Sequence, residues 1–202
     1  MSVVDLLEAW PLPGARALGA QLVASYAHPE RGYHDSRHLA EVLERVNELC
    51  AAGERFERMP VVLAAWFHDS VYDGQPDAER RSAAWAAEAL PTLVEPAVVD
   101  EVVRLVLLTE HHRPAAGDAN GGVLSDADLA ILAAPAERYG EYVAAVRREW
   151  AHVSDPDFAS GRASILGDLL AKPHLFSTRH GQEHWESAAR VNVAAELVRL
   201  AG

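Results

Sequence analysis

Four separated segments carry the side chains best suited to chemistry: Tyr33-His34-Asp35-Ser36-Arg37-His38, Trp66-Phe67-His68-Asp69, Glu110-His111-His112 and Ser125-Asp126-Ala127-Asp128. A His, then a His-Asp pair inside an apolar run, then a distant Asp, is the ligand order of a metal site. Imidazole nitrogens and carboxylate oxygens together suit a borderline or hard divalent ion. Such an ion can turn water into a nucleophile near neutral pH. The physical argument is strongest at Asp69, which directly follows Ala64-Ala65-Trp66-Phe67-His68. An ionised carboxylate in such surroundings is costly unless a cation or strong donors compensate it. The bland alternative is that Asp69 caps a helix or pairs with an arginine.

Helices must position these groups. Leu39, Val42, Leu43, Val46 and Leu49 share one face of a segment over residues 36–50, at the spacing of an amphipathic helix. Asp35 or Ser36 is its expected N-cap, so His34 precedes the helix and His38 sits in its first turn. Residues 60–71 are apolar almost all round until His68, which predicts a buried central helix. Further helices are expected over 77–90, 96–112, 125–133, 136–152, 156–171 and 185–200, and over the first 27 residues with a break near Pro11 to Gly14. Gly117, Gly121 and Gly122 mark a loop. Strand signals are poor, and no repeat or low-complexity linker is present. The pattern is an all-α bundle, a single domain over residues 1–202.

Adjacent residues on a helix diverge by about 100°, so His68 and Asp69 reach one ion only at the seam between their directions. Asp126 and Asp128 compete for the last ligand position, and periodicity does not choose between them. Ser125-x-x-Asp128 also fits a capping box. His111 and His112 end an apolar helix, as solvated groups favoured by its dipole or as donors to a bound phosphate.

Composition narrows the partners. The 202 residues carry 18 Lys+Arg against 30 Asp+Glu, a net charge of −12, which disfavours an extensive nucleic-acid surface. A small phosphorylated molecule remains compatible, because one metal and one or two arginines hold a phosphate locally. No apolar run approaches the ~20 residues of a membrane span. No basic segment followed by an apolar core opens the sequence, so the expectation is a chain without a secretory signal and a cytoplasmic location. The single cysteine, Cys50, closes an apolar stripe and reads as a buried structural thiol.

Together these segments resemble the HD superfamily of metal-dependent phosphohydrolases, and within it a branch of small bacterial proteins described as predicted HD-superfamily hydrolases. The resemblance includes Tyr33-His34-x-x-x-His38, Ala65-Trp66-Phe67-His68-Asp69-x-Val71-Tyr72-Asp73, Glu79-x-x-Ser82-Ala83 and Thr109-x-His111-His112. It continues through Asp126-Ala127-Asp128-Leu129-Ala130-Ile131-Leu132, Arg138-Tyr139-x-x-Tyr142, Val146-Arg147-x-Glu149 and Glu186-x-Ala188-Ala189-Arg190-x-Asn192. It implies an HD-domain-like helical bundle with His38, His68, Asp69 and Asp128 as ligands, and leaves Asp126 beside the metal shell or as a cap. No His lies between Asp69 and Glu110, where dinuclear relatives and HD oxygenases carry one, so a single ion is expected. Leu129 stands where HD enzymes acting on deoxynucleoside triphosphates carry Lys.

The expected activity is hydrolysis of a phosphomonoester or phosphodiester at one divalent ion (Mn, Fe, Co, Ni, Mg or Zn). His34, Asp73, Glu79 and His111 are the candidate proton-transfer groups, and Arg31, Arg37 and His112 the candidate substrate-binding groups. Arg147 and Glu149 read as a surface pair. The alternative expectation is a non-catalytic metal-containing module that binds a phosphorylated ligand.

Overall fold

The computed structural model describes residues 3–202, and among them every regular element is helical. The chain opens with α1 (Val3–Glu8), a 3-10 turn at Pro13–Ala15 and α2 (Arg16–Tyr26). The expected break at Pro11 to Gly14 is where the chain turns; Met1 and Ser2 lie outside the described residues. There follow α3 (Ser36–Ala51), α4 (Arg58–Phe67), α5 (Ala78–Ala89), α6 (Pro96–Leu108), α7 (Ala119–Leu129), α8 (Ala136–Glu149), α9 (Asp155–Ala171), α10 (Arg179–His184) and α11 (Glu186–Leu200). None of the described helices is long and apolar enough to cross a membrane.

The core forms around α4. Every residue from Pro60 to Phe67 is buried, because helices pack on all of its faces and no polar stripe is needed. Trp10 meets Trp66 edge-on at 5.1 Å. α3 lays Leu39, Val42, Leu43, Val46 and Leu49 against α4 and α7. Full burial of such side chains stabilises by roughly 1.5–3 kcal/mol each. Cys50 corrects the sequence reading. It is exposed, because Leu49 takes the inward position and the next residue turns out by about 100°.

Three helix ends meet at one place: the first turn of α3, the last turn of α4 and the last turn of α7. Asp35 caps α3, its carboxylate accepting from the N–H groups of Arg37 (2.8 Å) and His38 (3.1 Å). α4 ends earlier than expected, in a tight turn over His68–Ser70, so His68 and Asp69 sit on a helix terminus. α7 starts earlier than expected. Asp118 is its cap, accepting from Gly121 N–H at 2.9 Å, and Gly121 and Gly122 are helical. A Cβ on Gly121 would collide with the Asp118 carboxylate, so this tight cap requires glycine. Ser125 therefore lies inside α7 and caps nothing, which removes the capping-box reading of Asp128.

Two residues apart on α7, Asp126 and Asp128 face in different directions. Asp126 is fully buried and accepts from Ser177 N–H (2.8 Å) and Thr178 N–H (2.7 Å), anchoring the loop that leads into α10. Burial outweighs those bonds and pushes Asp126 up to about 6. Asp126→Ala is expected to cost about 1–3 kcal/mol in chemical denaturation, since buried N–H groups lose their acceptor, while metal content stays normal. Loss of metal with unchanged stability would exchange the roles of the two aspartates.

Candidate metal centre

Each ligand candidate is aimed by its other contacts. His38 is fully buried, with Nδ1 3.0 Å from the Tyr33 hydroxyl. His68 Nδ1 lies 2.8 Å from the Ala65 carbonyl, an acceptor only, so Nδ1 carries the proton. In the neutral ring Nε2 is then a lone pair, as a metal-binding imidazole requires. Asp69 N–H donates to the Tyr26 hydroxyl at 3.2 Å. The Arg31 guanidinium donates to the carbonyls of His34 (2.6 Å), Asp69 (2.7 Å) and Ser70 (3.1 Å), tying the loop before α3 to the end of α4.

The four side chains converge. His38 Nε2 and His68 Nε2 are 3.0 Å apart. Asp69 Oδ2 lies 3.2 Å from the first and 3.1 Å from the second. Asp128 Oδ1 lies 3.2 Å and 3.7 Å from the same two atoms. Bonds of ~2.1 Å place neighbouring ligand atoms about 3.0 Å apart in an octahedron and about 3.4 Å apart in a tetrahedron. The observed spacings bracket those values, and the N,N,O,O donor set suits a borderline divalent ion. His38, His68 and Asp69 can therefore hold a metal ion; they form the one such cluster found among the described residues. Asp128 Oδ1 borders both imidazole nitrogens and lies outside that cluster of three.

Without an ion, protons must take its place. Burial favours a neutral His38, yet Asp128 and Asp69 overcome it and push the ring up to about 10. His68 is raised too, its burial offset by the charges of Asp69 and Asp128. Burial alone would raise both carboxyls, but the imidazoliums hold Asp69 and Asp128 below the usual carboxylate range.

Outward from the ligands lies a cleft of about 810 Å³, reached by Asp128, His34, His112 and Tyr72. A smaller cavity of about 260 Å³ touches His38 and Asp128 from another side. His34 stacks on Tyr72 at 4.1 Å and holds Nδ1 2.8 Å from Glu149 Oε2. Glu149 Oε1 accepts three backbone N–H groups, from Gly32, Tyr33 and His34, at 2.8, 2.8 and 2.9 Å. Burial would raise the Glu149 carboxyl, but His34 and these N–H groups hold it below its ordinary range. Gly32 is required here, because a Cβ would collide with the Ala145 carbonyl and Glu149. His112 has φ 47°, a left-handed turn that carries its ring back toward Asp128, Nε2 to Oδ2 3.4 Å. Its Nδ1 meets Ser125 Oγ at 3.2 Å, and burial lowers its affinity for a proton.

Several candidates stand elsewhere. Asp73 does not continue α4, which has already ended; Arg81 grips both of its oxygens at 2.8 and 2.6 Å on the exposed side. Glu79 sits in the first turn of α5 and lines neither cavity. His111 reaches the cleft mouth, but its side chain is 69% exposed beside Glu110. Arg37 points outward to Glu41 (3.1 Å) and Glu141 (2.9 Å). Arg31 does not swing over the cleft, because its guanidinium is occupied by three carbonyls. Asp126 belongs to the α10 loop. Sequence reasoning took Glu149 for a surface partner of Arg147, which instead pairs with Asp155 at 2.6 Å. Arg113, Arg162 and Lys172, none of them expected from the sequence, also line the cleft.

Asp69→Ala is expected to abolish metal binding and leave the helical fold largely intact, since the variant loses a ligand and a buried charge together. Unchanged metal content by elemental analysis would make Asp69 purely structural.

The pH dependence has a defined sign. In the metal-free chain, the raised His38 contributes stability that is fully present below pH ~6.5 and is lost as pH rises through about 10. A cation must displace that proton. Metal uptake at pH 7 is therefore expected to release at least one proton, and affinity to fall about tenfold per unit of acidification. Calorimetric titration in buffers of different ionisation enthalpy reads this directly; uptake without proton release would place the ion elsewhere.

No family model, curated protein or solved structure matches the chain, so the reading of this centre rests on its own residues.

Proposed function

We propose that the chain is a metal-dependent phosphohydrolase with one divalent ion per chain, acting on a small phosphorylated substrate. The reading agrees with the resemblance to the HD superfamily. The observation that carries it is the buried cluster of His38, His68 and Asp69, with Asp128 bordering both imidazole nitrogens and lining the cleft.

A divalent ion bound there supplies Lewis acidity toward a phosphoryl oxygen and lowers the pKa of water. The protein's own residues do the rest. Glu149 accepts the His34 Nδ1 proton, which leaves Nε2 as the nitrogen that can exchange a proton in the cleft. Buttressing by three backbone N–H groups keeps that carboxylate ionised and the ring in one orientation. His112, half-buried and favouring the neutral form, is the second group able to exchange a proton near Asp128. Lys172 donates to the His112 carbonyl at 2.8 Å and, with Arg113, brings positive charge to the cleft. Arg31 serves as a positioning residue, since it holds the backbone of His34 and Asp69 and touches no substrate site.

Phosphate release by the purified protein with Mn, Co, Ni, Mg, Fe or Zn added separately tests the reading. At least one metal is expected to support turnover on a panel of phosphomonoesters and phosphodiesters. No release with any metal across that panel would favour the binding-module alternative. Within an active preparation, His34→Ala is expected to lower kcat by about 10²–10⁴-fold, and Glu149→Gln by about 10–100-fold, with metal content normal. Arg37→Ala is expected to behave as wild type. Normal turnover in His34→Ala would remove the His34–Glu149 pair from the chemistry.

A further inference from the structure

The cleft has two chemically different parts. Its inner end carries Asp128, His34, His112 and Lys172. The wall opposite is largely apolar: Phe158, Ile165 and Leu169 form a stripe along α9, at i, i+7 and i+11, and Leu129, Val146 and Trp150 continue it from α7 and α8. Arg162 lies within the stripe, but its guanidinium is engaged by Glu196 (2.8 Å) and the Tyr142 hydroxyl (2.7 Å). Two of these large side chains are left uncovered: Ile165 is 59% exposed and Trp150 41%. α9 makes its fully buried contact at Leu166 and packs toward α11, while Phe158 and Leu169 rest on the core and stay only partly buried, and Ile165 faces outward. Gly161 lies between Phe158 and Ile165 with open space where a Cβ would stand, which widens the cleft at mid-wall. Glu110, Asp157 and Asp168 are exposed and acidic, against the exposed Arg113, while the other two cations of the lining, Arg162 and Lys172, are half-buried.

We propose that this cleft selects a phosphoester of an apolar alcohol or phenol. The inference rests on the phosphohydrolase reading and names its substrate class. The phosphoryl group lies at the inner end, near the metal ligands and Lys172. The hydrocarbon body lies along the α9 stripe, which removes apolar surface of both partners from water. The acidic mouth and the net charge of −12 oppose a polyphosphate chain or a second anionic group at the outer end. In the reaction, a P–O bond to water forms as the P–O bond to the alcohol breaks. Water gives up one proton, the departing alkoxide takes one, and the products are the alcohol and inorganic phosphate.

Calorimetric titration of the metal-loaded protein with butyl, hexyl and octyl phosphate tests this, with inorganic phosphate and 1-octanol as controls. Affinity is expected to rise about two- to fourfold per methylene up to the length of the stripe. Ile165→Asp, at an exposed position where folding is not threatened, is expected to flatten that series while inorganic phosphate binds as before. Equal affinity for butyl and octyl phosphate, with small phosphoesters still hydrolysed, would overturn this inference alone. A steep series in which 1-octanol binds as tightly as octyl phosphate, with no ester hydrolysed, would overturn the phosphohydrolase reading and the phosphoester head with it. A wild-type series left equally steep in Ile165→Asp and Phe158→Ala would place the body outside the stripe and overturn the proposal.

Discussion

Two carboxylates taken out of water beside two imidazoles set the terms for the rest of the molecule. Asp69 and Asp128 each place an oxygen 3.2 Å from the same His38 nitrogen, in a region where α4 is buried on every side. A pair of negative charges in a helical core is unfavourable unless positive charge joins it. The ion-free chain meets that demand with protons on the histidines; a divalent cation held by the same cluster would meet it with the nitrogens as donors of electron pairs. Placement at helix ends follows from the same need. The first turn of α3 contributes His38, the turn just after α4 contributes His68 and Asp69, and the last turn of α7 contributes Asp128, so three short-range geometries meet without breaking any helix interior.

What keeps these ends in register is the loop over residues 31–34, gripped from two sides. Arg31 gives its donors to carbonyls at the end of α4, and Glu149 at the end of α8 accepts the loop's N–H groups. Gly32 permits the close approach. The same carboxylate that fixes the loop also fixes the His34 ring, so the frame of the centre and its candidate proton carrier share one anchor. A change at Glu149 therefore acts on position and on protonation at once, and a change at Arg31 on position alone.

Much of this was legible in the chain. The amphipathic spacing of α3, its Asp35 cap, and the all-apolar α4 each follow from local rules, and with them His38 and the His68-Asp69 pair. Periodicity could not separate Asp126 from Asp128, because the distinction depends on what packs beside α7: the loop at Ser177–Thr178 on one face and the histidines on another. The arginines were misread for a related reason. Proximity in sequence put Arg31 and Arg37 near the ligands, but where a long side chain ends is decided by acceptors far along the chain, Asp69 and Ser70 for one and Glu141 for the other. Arg113, Arg162 and Lys172 come to the cleft, and Glu149 to the ring of His34, through tertiary packing alone, and only Glu149 lay in a segment that the sequence singled out.

Anomalous diffraction from crystals grown with the native metal, recorded on both sides of its absorption edge, is the most direct measurement of the central claim. The account expects one strong anomalous peak per chain, ~2.0–2.3 Å from His38 Nε2, His68 Nε2 and an oxygen of each of Asp69 and Asp128. A tightly held ion bound by other residues, or the four side chains turned to separate places, would contradict it.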